Sequence, residues 1–297
     1  MSLTADPLSG SVATSVRDNA DSDLGEIEIC PRKGWIAIDW KELWHHRELL
    51  AFLVWRDVKV RYKQTVLGLA WAILQPAFNV VIFTAIFGVL AKFEGQLSMP
   101  YALWVFASLL PWNLITAGIT VGGMSLMSSQ NLLTKIYFPR LFVPTAAIGG
   151  ALIDLLVAIF FFFLLAACYG SRAHLSWTIV FLPPLLVLAT MVALACAYLL
   201  SSVTVMYRDF RFVIPFLSQA LMYGSAVMIP LPGLKLRWQL LLSINPVFGI
   251  TDACRASVFG QDFHPWGLLI STIMTIGLFI LGLYYFRRTE RRFADIA

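Results

Sequence analysis

Charge is what this sequence has little of. Only 13% of its 297 residues are Asp, Glu, Lys or Arg, while 59% are hydrophobic and the mean hydropathy is +0.77. Soluble globular chains carry about 25% charged and about 45–50% apolar residues, so a water-soluble domain is excluded and an integral membrane protein is expected. Cysteine is scarce as well. Cys30, Cys168, Cys196 and Cys254 have neither CxxC nor Cys/His ligand spacing, so neither a metal site nor a disulfide framework is expected, and the spacing does not say whether Cys168 and Cys254 pair. No lysine follows a glycine, so GxxxxGK[ST] is absent and the chain has no loop of its own to cradle a nucleotide phosphate. His45, His46, His174 and His264 lie outside the long apolar runs without forming HExxH, and there is no GxSxG or carboxylate cluster. An enzyme working on these residues would lack its usual acid, base or nucleophile.

Long apolar runs are what the sequence has in plenty. A helix needs about 20 such residues to cross about 30 Å of hydrocarbon, and six stretches read as spans: 68–90, 102–126, 141–167, 178–204, 212–231 and 266–286. Prolines within them are tolerated where neighbouring helices satisfy the freed carbonyls. With a cytoplasmic N-terminus, seventeen of the 22 Lys and Arg residues fall on the cytoplasmic side. Lys92, Arg172, Lys235, Arg237 and Arg255 fall on the other. The positive-inside rule and the even number of spans both then put the two termini in the cytoplasm.

Residues 1–45, rich in Ser, Ala and Asp, lack a signal-peptide core and read as a disordered acidic cytoplasmic tail. Residues 46–67 read as an amphipathic helix. Trp55, Val58, Tyr62 and Val66 share one face, and Arg56, Lys59 and Lys63 another. That pattern fits a helix lying in the cytoplasmic interface, where each Lys or Arg gains about 1 kcal/mol from anionic headgroups. The remainder, 68–297, is the membrane domain.

Between the second and third spans lies NLLTKIYFPR, 131–140. Asn131 caps a short helix, Leu132, Leu133 and Ile136 fall on one side, Lys135 elsewhere, and Pro139 ends it. An apolar face plus charge fits docking to a partner as well as it fits lying on headgroups. On the far side, 232–264 divide into KLRWQLLLSI and NPVFGITDACRASVFG. Asn245 is the expected N-cap, Pro246 the first helical residue and Gly260 the terminator, with Asp252 and Arg255 placed to pair. These two short helices read either as a hairpin dipping into the outer leaflet or as helices resting on its surface. Asp154 is the one ionisable residue well inside a span, near Gly149 and Gly150 where helices approach closely. It reads as a structural hydrogen-bonding group or as a substrate or proton group.

The stretches WRDVKVRYKQTVLGLAWAILQP (55–76), SLLPWNLI (108–115), NLLTKIYFPRLFVP (131–144), YRDFRFVIPF (207–216) and INPVFGITDACRASVFG (244–260) together resemble the permease subunit of ABC-2 type transporters that export lipid-linked polysaccharides such as O-antigen or teichoic acid. The resemblance covers roughly residues 45–290 and leaves the tail out. It implies an all-α membrane protein of six transmembrane helices with an interfacial helix, a coupling helix and re-entrant outer gate helices. It further implies a homodimer in the bacterial cytoplasmic membrane with a channel at its interface, and two separate ATPase subunits that bind ATP and Mg. The permease itself then holds no cofactor, catalyses nothing and meets no nucleic acid. Asn131, Leu132, Leu133, Lys135, Ile136, Tyr137, Phe138, Pro139 and Arg140 would form the coupling helix that docks the ATPase. Trp55, Arg56, Lys59, Arg61, Tyr62 and Lys63 would belong to the interface helix where substrate enters, with Arg56, Arg61 and Lys63 suited to a carrier pyrophosphate. Asn245, Pro246, Asp252 and Arg255 would belong to the outer gate. The same architecture exporting a drug, lipid or small glycolipid is the alternative. A membrane-embedded transferase or a plain scaffold fits less well, since the first needs catalytic groups and the second no docking helix.

Overall fold

A backbone in hydrocarbon must satisfy its own hydrogen bonds, and the computed structural model contains helix and no strand among its described residues, 44–63, 70–130, 138–231, 234–261 and 265–290. The expected tail up to residue 43 lies outside them. In chain order the main helices are α1 (Arg47–Lys63), α2 (Ala70–Phe83), α3 (Tyr101–Ala117), α4 (Gly123–Ser128), α5 (Phe142–Tyr169), α6 (Leu182–Met206), α7 (Phe210–Gly224), α8 (Leu236–Leu242), α9 (Pro246–Phe259) and α10 (Pro265–Glu290). α2 runs on as a π-helix over Thr84–Leu90, and a π-turn at Gly118–Gly122 joins α3 to α4.

Five segments are long and apolar enough to cross a membrane: Ile73–Leu90, Tyr101–Ser128, Phe142–Ala173, Trp177–Met206 and Pro265–Glu290. The sixth expected span, 212–231, is built differently. Its helix α7 has 15 residues, about 22 Å at 1.5 Å per residue and short of a bilayer core. Beyond Gly224 the chain leaves the helix, with Ala226 at a φ of +48°. The non-helical residues are covered by protein: Ser225, Val227 and Met228 are buried, the Tyr101 hydroxyl donates to the Met228 carbonyl, and Asn245 Nδ2 donates to Ser225 Oγ at 2.8 Å.

The centre of the bundle is α3, buried at every residue from Tyr101 to Trp112. The helices around it keep apolar residues outward, among them Val81 on α2, Phe160 on α5 and Ile280 on α10, as lipid-facing helices do. Small residues set the closest approach. A Cβ on Gly118 would lie 2.3 Å from the Ala193 carbonyl oxygen of α6, so α3 and α6 meet backbone to backbone. α9, which the sequence left between a dipping hairpin and a helix resting on a surface, is buried at all but Pro246 and Asp252 and packs on α3, α6 and α10. Its cap is as expected: Asn245 Oδ1 accepts from the Val247 N–H at 3.1 Å, and Gly260 closes the helix at a φ of +64°.

Candidate functional site

α1 lies against the first half of α5. Leu53 is buried, with Leu49, Leu50 and Val54 packed around it, and a Cβ on Gly149 would meet Val54 Cγ2 at 2.5 Å. Of the expected face, Val58 lies toward Gly150 and Tyr62 bonds Asp154, both on α5, and only Trp55 turns outward. Trp55 is 62% exposed and points away from the bundle, as do Lys59 and Lys63. The glycine pair of α5 leaves room for Val54 at Gly149 and for Val58 and Arg61 at Gly150.

The anchor of this packing is Asp154. One carboxylate oxygen takes an ion pair from Arg61 Nη1, and the other accepts the Tyr62 hydroxyl. Burial, and after it the bond to Asp154, pushes the Tyr62 phenol up to about 12, so it remains a neutral donor at physiological pH. Asp154 is thus both hydrogen-bonded and ion-paired, each time to α1. Arg56 Nη2 pairs with the neighbouring Asp57 at 2.7 Å. Of the three residues suited to a carrier pyrophosphate, Arg56 and Arg61 are thus paired with carboxylates while Lys63 is exposed, as is Lys59.

The expected coupling segment is described only from Phe138 onward; Asn131, Leu132, Leu133, Lys135, Ile136 and Tyr137 lie outside the described residues. Phe138 is buried in a cluster with Leu53 of α1, Leu126 of α4, Phe142 of α5, Tyr198 of α6 and Phe286 of α10. Pro139 opens the turn into α5: its carbonyl accepts from Phe142 N at 3.0 Å. Arg140 Nη1 donates to the Glu290 carbonyl at 2.9 Å, near the end of α10. The C-terminal end of this segment therefore packs with residues of five helices, α1 and α10 among them.

At the other end of the bundle, Arg255 of α9 is 4% exposed. Its guanidinium sits 4.4 Å from the Trp104 ring centroid of α3 and pairs with Asp252 Oδ1 at 3.1 Å, as the sequence expected of Asp252 and Arg255. A cation on an indole face in a desolvated place is worth up to about 2 kcal/mol, which is how a charged residue enters a helix packed in an apolar core. Asn245 and Pro246 begin the same helix, and Asn245 also holds the non-helical stretch after α7. Trp104 and Phe286 were not singled out in the sequence. Trp104 carried a signal, an aromatic near the start of a span; Phe286 carried none.

The geometry is that of a membrane bundle with the Phe138 cluster at one end and the buried helix α9 at the other. Residues 48–259 match the family described as ABC-2 type transporter. The chain is 26% identical over 255 residues to the O-antigen export system permease protein RfbA of Myxococcus xanthus, covering 84% of this chain and 96% of that protein. A Klebsiella pneumoniae protein of the same description is 26% identical over 256 residues, covering 84% and 95%. The polysialic acid transport protein KpsM of Escherichia coli is 23% identical over 239 residues, covering 79% and 91%.

Proposed function

The chain belongs to the ABC-2 type transporter family, and on that premise we propose that it is the membrane permease subunit of an ATP-driven exporter of lipid-linked cell-surface polysaccharide. The observation that carries this reading is the nearly end-to-end match to permeases of O-antigen and polysialic acid export. In this reading ATP and Mg belong to two separate ATPase subunits that dock on 131–140, and this chain is a non-catalytic transport subunit. Two copies face each other across a channel. The outward faces of α2 and α7, with Phe78, Val81, Phe212 and Phe216 exposed, suit such a meeting.

α7 and the covered residues after it then make a sixth crossing. Both termini lie in the cytoplasm of a bacterium, in line with the Lys and Arg distribution. α8 and α9 form a re-entrant outer hairpin that gates the exit. α1 receives the substrate. Lys59 and Lys63 meet the pyrophosphate first, and Arg61 joins only by exchanging its partner Asp154 for phosphate, since a guanidinium binds either anion in the same forked geometry.

The test is deletion of the chain in its native cell. Loss of surface polysaccharide, with lipid-linked polymer accumulating on the cytoplasmic side, is expected. Unchanged surface polysaccharide would sink the reading in favour of a smaller cargo.

A further inference from the structure

A groove of about 470 Å³ runs between α6, α9 and α10, at the end of the bundle remote from Arg140. Pro184, Leu185 and Leu188 form one wall, Ala253 and Ala256 the other, and Leu268 closes it. The size is that of a small-ligand site, but the chemistry is nearly all hydrocarbon. The two hydroxyls at its edge already have partners: Thr178 Oγ1 donates to the Ser257 carbonyl at 2.7 Å, and Ser257 Oγ donates to the Thr178 carbonyl at 2.9 Å. Gln261 also lines the groove, its Nε2 directed at Met99 Sδ at 4.0 Å, so polar groups are a small part of what a sugar or a peptide would meet there.

The groove is continuous with the lipid-facing belt of the protein. Phe181 lines its mouth, Val180 beside it is 70% exposed, and Val187 on the same helix is exposed too. Trp177 and Trp266, also exposed, stand where the two neighbouring spans begin, the level at which Trp marks the boundary of headgroups and hydrocarbon. Water has no partners in such a space. In a bilayer the gain from filling it is not hydrophobic, because lipid tails are as apolar as the walls. It is the dispersion contact that unfilled walls would forfeit along their whole length. From Phe181 to Leu188 the wall is about 10 Å long, a shape for a linear chain.

We propose that this groove binds one acyl chain of a membrane phospholipid from the leaflet remote from Arg140, wedged between α9 and the spans α6 and α10. The bound chain holds α9 at a fixed distance from α6. The proposal rests on the membrane placement of α6 and α10 and not on which cargo is exported, so it stands or falls apart from the exporter reading.

The test is reconstitution of the full chain in vesicles of phosphatidylethanolamine and phosphatidylglycerol, the latter bearing a diazirine in mid-chain. Irradiation is followed by peptide mapping. Adducts several-fold enriched on Leu185, Leu188 and Ala256 over the exposed α5 residues Phe160 and Leu164 are expected. The groove-filling variants Ala256→Phe and, from the opposite wall, Leu188→Phe should lose the groove adducts and keep those on α5, which reports that the bundle is intact. Adducts spread over all outward faces in proportion to exposure would overturn the proposal. So would groove adducts unchanged in both variants. Should both variants unfold, the distribution in the native chain decides alone.

Discussion

Asp154 meets Arg61 and Tyr62 across 93 and 92 residues of sequence. That separation is why the residue was legible as exceptional, an acid inside a span, while its partners were not. Arg61 was equally legible as a cation of an interfacial helix, and nothing local says that it turns to a carboxylate rather than to a phosphate. Both members of the pair are about a third exposed, so its contribution to stability is at most about 1 kcal/mol. Asp154→Asn is expected to cost no more than that in thermal unfolding, yet to lower export clearly, because α1 loses its anchor on α5. The exchange Arg61→Asp with Asp154→Arg should recover much of the export; a double variant no better than the singles would remove the pair from the mechanism. Arg255 makes the opposite case, a charge almost fully buried beside a half-exposed acid. Removing Asp252 leaves that charge without its ion pair, whereas removing the charge leaves only an acid that water can reach. Asp252→Asn should therefore destabilise more than Arg255→Met, by about 1–2 kcal/mol, measured by detergent unfolding of the two variants. The reverse order would mean that Trp104 alone carries the guanidinium.

Helix ends were the most legible elements, because capping is local chemistry. Asn245, Pro246 and Gly260 take the places their side chains and backbone preferences assign them. The burial of α9 was less legible. With Asp252 and Arg255 in it, the segment read as a dipping hairpin or as helices resting on a surface, and the shelter that Trp104 offers comes from another helix. The length of α7 was obscured for a different reason. The apolar run continues to residue 231, but hydropathy does not register a backbone that leaves the helix after Gly224, where Tyr101 donates to the Met228 carbonyl and Asn245 to the Ser225 hydroxyl. The seam of α3 and α6 is set by space. Gly118→Val puts a side chain where the Ala193 carbonyl lies and should cost about 1–3 kcal/mol or prevent assembly. Gly277→Ala on α10, where a Cβ meets nothing within 4 Å, should be neutral or stabilise by about 0.5–1 kcal/mol. Thermal unfolding of both in one detergent checks the contrast; equal effects would mean the seam can open.

Across the whole molecule, one end gathers α1, the turn at Phe138–Arg140 and the last residues of α10 around one cluster; the other holds the buried helix α9. The membrane class was legible from composition alone, since so few charges can serve only a protein whose solvent is largely lipid. The absent phosphate loop was equally plain in the sequence, and under the exporter reading it is what sends ATP to a separate subunit. The measurement that tests this most directly is purification of the tagged chain from its native cells in mild detergent, with quantitative mass spectrometry of the soluble subunits that accompany it. A stoichiometric partner carrying GxxxxGK[ST] is expected with the native chain, and its loss is expected with Lys135→Glu while the chain itself stays folded. A chain that comes out alone under every mild condition would contradict the exporter reading, and leave a channel or an unrecognised enzyme in its place.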